Sequence, residues 1–357
     1  MFSELTVIDA SSVLAGPSVG TFFAELGAEV IKVESPRGDV TQNWRTAGES
    51  LEGWSAYYSS VNYGKTLQNL NLKSDEGRKE LLNLIARADV LITNFKSSDY
   101  ERFGLEESTV FSKNPKLIWG RIKGFERDDE RLAFDVVLQA ETGFMSMNGQ
   151  PGSLPTKMPV ALMDVLAAHQ LKEGILCGLL ERERTALGGK VEVSLEAAAI
   201  SSLVNQASNY LMNGVVAKPI GSRHPNIAPY GDLFTCKDGV QVVTAVGSDA
   251  QFASFCELIE LPISENWKSN PLRVENRESL VEAISGKLAK WNHDSLLKQA
   301  KERGIPMGAV KDLKRVFESS VAQSLVLEEN VVQNSGDDQN TRRVAQKAFH
   351  FTPYQGR

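Results

Sequence analysis

Residues 6–34 read TVIDASSVLAGPSVGTFFAELGAEVIKVE, and this stretch decides the fold. Thr6-Val7-Ile8-Asp9 is a short apolar run of strand type. Gly16-Pro17 then starts a helix, with proline in the first turn, where its missing N–H costs nothing. Phe22, Phe23 and Leu26 carry that helix to Gly27, a residue suited to the C′ position. Glu29-Val30-Ile31-Lys32-Val33-Glu34 is the next strand. Further on, Ser74 precedes a helix whose first turn holds Asp75 and Glu76, favourable to its dipole. More strands are expected at Asp89–Phe95, Leu117–Lys123 and Lys190–Ser194. Strands alternating with helices at this spacing predict an α/β fold, a parallel sheet with helices on both faces.

The middle of the chain differs. A long helix is expected from about Asp164 to Arg184, and another ends near Met212. Asn213-Gly214, Lys218-Pro219 and Arg223-His224-Pro225-Asn226 then read as a linker. Lys237-Asp238-Gly239 between Asp232–Cys236 and Val240–Ala245 is a hairpin signal. Helices dominate from Ser248 to Arg303, Ile305–Val310 reads as a return strand, and Asn334–Arg343 reads as a surface loop or turn.

The chain has 357 residues, 42% of them hydrophobic, enough for a full core. A net charge of -6 argues against general affinity for nucleic acid or acidic membrane, so an anionic ligand needs a local basic cluster. Cys177, Cys236 and Cys256 are scattered and lack metal-binding spacing, as expected for packing residues in a reducing compartment. The four histidines, His169, His224, His293 and His350, show no zinc pattern, so no metal site is expected. No signal peptide and no membrane span are read. The expectation is a soluble, cytoplasmic protein.

One side chain stands out. In Pro159-Val160-Ala161-Leu162-Met163-Asp164-Val165, a helix through Asp164 puts Ala168, Leu171 and Ile175 on the same face. A carboxylate on an apolar face is costly unless it has donors or a chemical task. Two readings are open: an N-cap that accepts bonds from the first helical N–H groups, or a nucleophile. His169 lies off that face and reads as structural.

The opening unit resembles a dinucleotide-binding βαβ, with Glu34 where a ribose-binding acid would sit. Its glycines depart from the G-x-G-x-x-G spacing, and Pro17 lacks the N–H a pyrophosphate wants, so a nicotinamide cofactor is not expected. A different likeness covers nearly the whole chain. Val13-Leu14-Ala15-Gly16-Pro17, Glu25–Glu34 and Arg37-Gly38-Asp39 open it. Asn62-Tyr63-Gly64-Lys65, Ala88–Phe95, Phe103-Gly104-Leu105 and Ile122-Lys123-Gly124-Phe125 follow in order. Gln139–Ser146, the Asp164 segment, Pro225–Gly231 and Gly304–Gly308 complete it. In these motifs the chain resembles the family III CoA-transferases, the family of formyl-CoA and carnitine CoA-transferases and of α-methylacyl-CoA racemase.

That resemblance implies a CoA-transferase in which Asp164 is the nucleophile. It attacks an acyl-CoA, passes through an aspartyl-CoA thioester and delivers CoA to a free carboxylic acid. It also implies that Ala15, Gly16 and Pro17 line the pantetheine arm. Asn94, Phe95 and Lys96 form the adjoining loop, and Arg37 and Arg102 meet phosphate and adenine. No tightly bound cofactor is implied, only CoA and acyl-CoA as substrates. The implied fold is a Rossmann-like large domain with a parallel sheet, formed by residues 1–212 with about 305–357, plus a smaller α+β domain at 225–304 after a linker at 213–224. Two chains would interlock as a homodimer.

Some positions depart from the family pattern. Phe134 stands where the racemase branch carries an acid/base histidine, which argues against racemisation. Asp249-Ala250-Gln251-Phe252 replaces a Glu-Pro-Gln-Phe stretch of the racemases. Glu126-Arg127-Asp128-Asp129-Glu130 replaces a Gly-Pro element, and the L-G-x-H tail is missing. The alternatives are therefore a 2-methylacyl-CoA racemase or a catalytically silent CoA-binding member.

Overall fold

The computed structural model describes residues 1–128, 130–332 and 338–354. Six parallel strands form the main sheet: β1 (Thr6–Ala10), β2 (Glu29–Glu34), β3 (Thr66–Asn69), β4 (Val90–Thr93), β5 (Ile118–Lys123) and β6 (Gly189–Ser194). Their order is β3-β2-β1-β4-β5-β6. The direction of winding reverses between β1 and β4, where Val7 pairs with Val90 and Ala10 with Thr93. In open α/β sheets such a reversal leaves a crevice beyond the carboxyl ends of the two strands.

Strand parity sorts the core into two layers. Val7, Val30, Val90 and Ile118 face the helices α1 (Ala15–Glu25) and Leu162–Thr185. Ile8, Ile31, Leu91 and Trp119 face the other side, with Leu81, Leu84 and Ile85 of the helix Asp75–Ile85. That helix is capped by Ser74, which accepts from Gly77 N at 3.1 Å. The helix Leu162–Thr185 lies close on β5 and β6, because a Cβ at Gly174 would stand 2.4 Å from Val191.

The chain packs as two compact units. The first comprises Met1–Phe144, Lys157–Val216 and Gln323–Arg357. It also carries an antiparallel pair, β10 (Val326–Val332) with β11 (Asp338–Val344). The polar loop expected at Asn334–Arg343 is thus strand from Asp338 onward, held by polar cross-strand pairs such as Arg342 with Glu328 at 2.8 Å. Residues 334–337 lie outside the described residues.

The second unit comprises Met145–Thr156 and Ala217–Ala322. Its sheet joins β7 (Tyr230–Thr235), β8 (Gln241–Ala245) and β9 (Met307–Ala309) in antiparallel order β7-β8-β9. The expected hairpin is present, and Gly239 takes a positive φ of 78° in its turn. Phe234, Val242, Phe255, Leu280, Ile284 and Leu296 form the core of this unit. The strand read near Ile305 exists, but Met307–Ala309 pairs with β8, so the chain rejoins the first unit only at Gln323. Among the described residues no helix is long and apolar enough to cross a membrane.

Candidate active site

A cleft of about 220 Å³ opens beyond the carboxyl ends of β1, β4 and β5. Asp164, Ala15, Asn94, Phe95 and Lys96 all line it. Asp164 is not an N-cap: Ala161 holds that place, and Asp164 is the third residue of the helix Leu162–Thr185. Ala168, Leu171 and Ile175 on its face are buried. Burial, and then the nearby carboxylate of Asp135, push the Asp164 carboxyl up from the ordinary aspartate range to about 7. The group is therefore poised between acid and carboxylate near neutrality.

The β1–α1 loop is fixed from several sides. Asn94 Nδ2 donates to Ser12 O at 2.9 Å, and Ser12 N donates to Asn94 Oδ1 at 3.0 Å. Val13 N donates to Asp39 Oδ2 at 2.9 Å. Val13 sits at φ 71°, a conformation that a β-branched residue adopts only under strain, and it lines the cleft. Under the loop, Lys65 Nζ binds Asp9 Oδ2 at 2.7 Å and Pro17 O at 2.8 Å, and Lys32 Nζ donates to Ser11 O. Burial alone would raise the Asp9 carboxyl, but Lys32 and Lys65 hold it down at about 2.

Gly16 and Pro17 do not form the wall. Gly16 is buried against Ser11, whose Oγ would meet an added Cβ at 2.2 Å, so glycine is required by close approach. Pro17 serves through its carbonyl. As the first residues of α1, Ala15 and Gly16 carry N–H groups without partners inside that helix.

Three cations share the cleft with Asp164: Lys96, Lys123 and Arg131. Lys123 pairs with Glu126 and Glu192, each at 3.2 Å. Arg131 Nη1 donates to Glu141 at 2.9 Å, and its guanidinium lies 4.1 Å from the centre of the Phe125 ring. Phe134, with Leu132 and Ala133, adds an apolar wall. Tyr57 stands near enough to Asp164 and Asp135 that burial and their charges push its phenol up to about 12.

A second cavity, of about 380 Å³, adjoins the first and shares Ser12 and Phe95 with it. Gly38, Asp39, Lys73, Asp99 and Phe103 are among its lining residues. Arg37 and Arg102 are in the wall of neither cavity. Arg37 is exposed in the turn before Gly38. Arg102 pairs with Asp99 at 2.6 Å and lies 4.9 Å from the Phe103 ring centre. Glu34, where a ribose-binding acid would stand, is already engaged: Tyr58 Oη donates to it at 2.7 Å and Gln42 Nε2 at 3.1 Å.

Sequence reading did not single out Lys73, Lys123 or Arg131. Their common signal is position at or after the carboxyl end of a strand of the parallel sheet, the end where open α/β sheets gather ligand groups. Among the described residues no group of His, Cys, Asp and Glu is placed to hold a metal ion.

Comparison with known proteins gives the chain its family. The chain is 32% identical over 335 residues to a succinate–glutarate CoA-transferase of Agrobacterium fabrum, covering 90% of this chain and 83% of the relative. It is 33% identical over 349 residues to a succinyl-CoA:mesaconate CoA-transferase of Haloarcula marismortui, covering 95% and 87%. The crystal structure of a CAIB/BAIF family protein from Brucella suis superposes with a TM-score of 0.81 at 32% identity, covering 98% of this chain and 92% of that one. Residues 2–356 match the profile of CoA-transferase family III, and the chain belongs to that family.

Proposed function

We propose that the protein moves CoA from an acyl-CoA thioester to a free carboxylic acid through an aspartyl-CoA thioester on Asp164. The observation that carries this reading is a single half-buried carboxyl set among three cations in a cleft at the strand-order reversal. The relatives, named for succinate, glutarate and mesaconate, support short dicarboxylic acids as donor and acceptor.

Asp164 as carboxylate attacks the thioester carbonyl and expels CoA thiolate, leaving a mixed anhydride. The thiolate attacks the aspartyl carbonyl and releases the donor acid, so sulfur is now bound to Asp164. The acceptor carboxylate attacks that thioester and expels thiolate, forming a second anhydride. Thiolate then takes the acceptor's acyl carbon, and Asp164 is regenerated as carboxylate. Partial exclusion of water makes this carboxylate a better nucleophile than one in bulk solvent. The N–H groups of Ala15 and Gly16 and the cations of the cleft stabilise the charge developing on the carbonyl oxygens.

The CoA nucleotide occupies the second cavity, where Lys73 lies and where Arg37 and Arg102 flank lining residues. The pantetheine arm crosses Ser12 and Phe95 and runs past Ala15 and the Asn94-Phe95-Lys96 loop to Asp164. Phe134 in the cleft wall supports transfer over racemisation, since it supplies no second base.

The working form is an interlocked homodimer. Supporting this, the helix Val204–Asn213 buries none of its residues and exposes Leu211 and Met212 at 79% and 80%. Three unpaired cysteines support a reducing, cytoplasmic setting. The test is a panel of acyl-CoA donors against carboxylate acceptors, read by mass spectrometry, for the wild type and Asp164→Ala. Exchange that vanishes in the variant while CoA still binds supports the reading; full exchange in the variant refutes it.

A further inference from the structure

We infer that Gln139 is a positioning residue for Asp164 and acts through Asp135. The inference rests on Asp164 being the reacting carboxylate. Gln139 lies in the helix Asp135–Glu141 and is 0% exposed. Its Oε1 accepts from Met158 N at 2.7 Å, and its Nε2 donates to Asp135 Oδ2 at 2.6 Å. The same Nε2 lies 3.4 Å from Met158 O and 3.5 Å from Val160 O. The other oxygen of Asp135, Oδ1, accepts from Met163 N at 2.7 Å.

These bonds replace something the helix Leu162–Thr185 lacks. Its N-cap, Ala161, has no side chain able to receive a helical N–H. Asp135 takes that part from a neighbouring helix, bonding the residue immediately before Asp164. Gln139 fixes both the Asp135 rotamer and the incoming strand of chain at Met158. A primary amide suits the place, because it donates to a carboxylate and accepts from an N–H at once. A leucine would leave both unsatisfied, and a glutamate would face Asp135 as a like charge. Helix register at its first turn, and hence the place of Asp164, is therefore set by an amide that never touches substrate.

The groups that bear on Asp164 are Asp135 and Tyr57, with Lys96, Lys123 and Arg131 on the cleft walls. Among these, Asp135 is the second carboxylate and the one Gln139 holds.

The experiment compares wild type, Gln139→Leu, Asp135→Asn and the double variant. Two readouts are taken: steady-state exchange, and titration of Asp164 itself by NMR on isotope-labelled aspartate. Gln139→Leu is expected to lower kcat about 10- to 100-fold, with KM for acyl-CoA changed by no more than about twofold. Asp135→Asn removes a like charge, so the Asp164 titration moves to lower pH by about half to one unit. The double variant is no slower than the slower single variant, the non-additivity of residues acting in series. Unchanged kcat in Gln139→Leu, multiplying losses, or an unmoved Asp164 titration in Asp135→Asn would overturn the inference. If Asp164 proves dispensable for exchange, the functional reading fails, yet the NMR titration still decides whether Asp135 and Gln139 set the state of Asp164.

Discussion

Asn94 and Ser12 exchange two hydrogen bonds, one through each half of the asparagine amide, and so join the carboxyl ends of β4 and β1 across the strand-order reversal. Ser12 lines both cavities, so this clamp shapes the passage between them. Asn94→Ala removes donor and acceptor together and frees the loop bearing the strained Val13. We predict that KM for acyl-CoA rises about tenfold, with a small change in melting temperature because the clamp is exposed. Calorimetric titration with CoA beside a thermal melt checks this.

The proton affinity of Asp164 predicts a pH profile. Burial and Asp135 bring its carboxyl to about 7, and only the ionised form attacks. Below that value the rate of donor-acid release in a single turnover should fall about tenfold per pH unit, and above it the rate should level off. A limb near the ordinary aspartate range would show that water reaches the carboxylate freely.

The same shift has a sign for stability. The folded protein holds the Asp164 proton more tightly than the unfolded chain does, so the contribution is full below pH 3.8 and is lost as pH rises through about 7. Asp164→Asn does not titrate and escapes that loss. The variant should therefore be more stable than wild type at pH 8 by about 1–2 kcal/mol, with the gap closing toward pH 4. Urea unfolding at the two pH values measures it.

Asp9 behaves oppositely. Lys32 and Lys65 hold its folded carboxyl at about 2, below the ordinary 3.8. Its contribution is present above 3.8 and is lost as pH falls toward 2. Lys65→Met strips the closest partner from a fully buried carboxylate and should cost about 3–5 kcal/mol at neutral pH. It should also soften the acid sensitivity between pH 4 and 2. Denaturant midpoints of both proteins across that window give the comparison.

Much of the large sheet is legible in the chain because its inner strands are buried on both faces and read as apolar runs, as in Val7-Ile8 and Val90-Leu91-Ile92. β3 is not legible: Thr66-Leu67-Gln68-Asn69 is a mostly exposed edge strand with no apolar pattern. Nor are β10 and β11, whose ladder is polar at its centre, where Glu328 faces Arg342, Glu329 faces Thr341 and Asn330 faces Asn340. Asp164 is visible as a lone acid on an apolar helical face. Arg37 and Arg102 are visible as basic residues near a ligand loop, but sequence says nothing of side-chain direction, and Arg102 turns to Asp99. The partners of the Gln139–Asp135 clip are not legible in the chain, since Met158 reaches it from a loop and Met163 from a neighbouring helix.

The central claim is that sulfur and both acids pass through the carboxyl of Asp164, and oxygen bookkeeping tests it most directly. In the proposed sequence each turnover gives one Asp164 oxygen to the departing donor acid and receives one from the acceptor. With an acceptor whose carboxylate carries heavy oxygen, the digested peptide containing Asp164 should gain one heavy oxygen after a single turnover and two after many. New acyl-CoA formed while that peptide stays unlabelled would contradict the account.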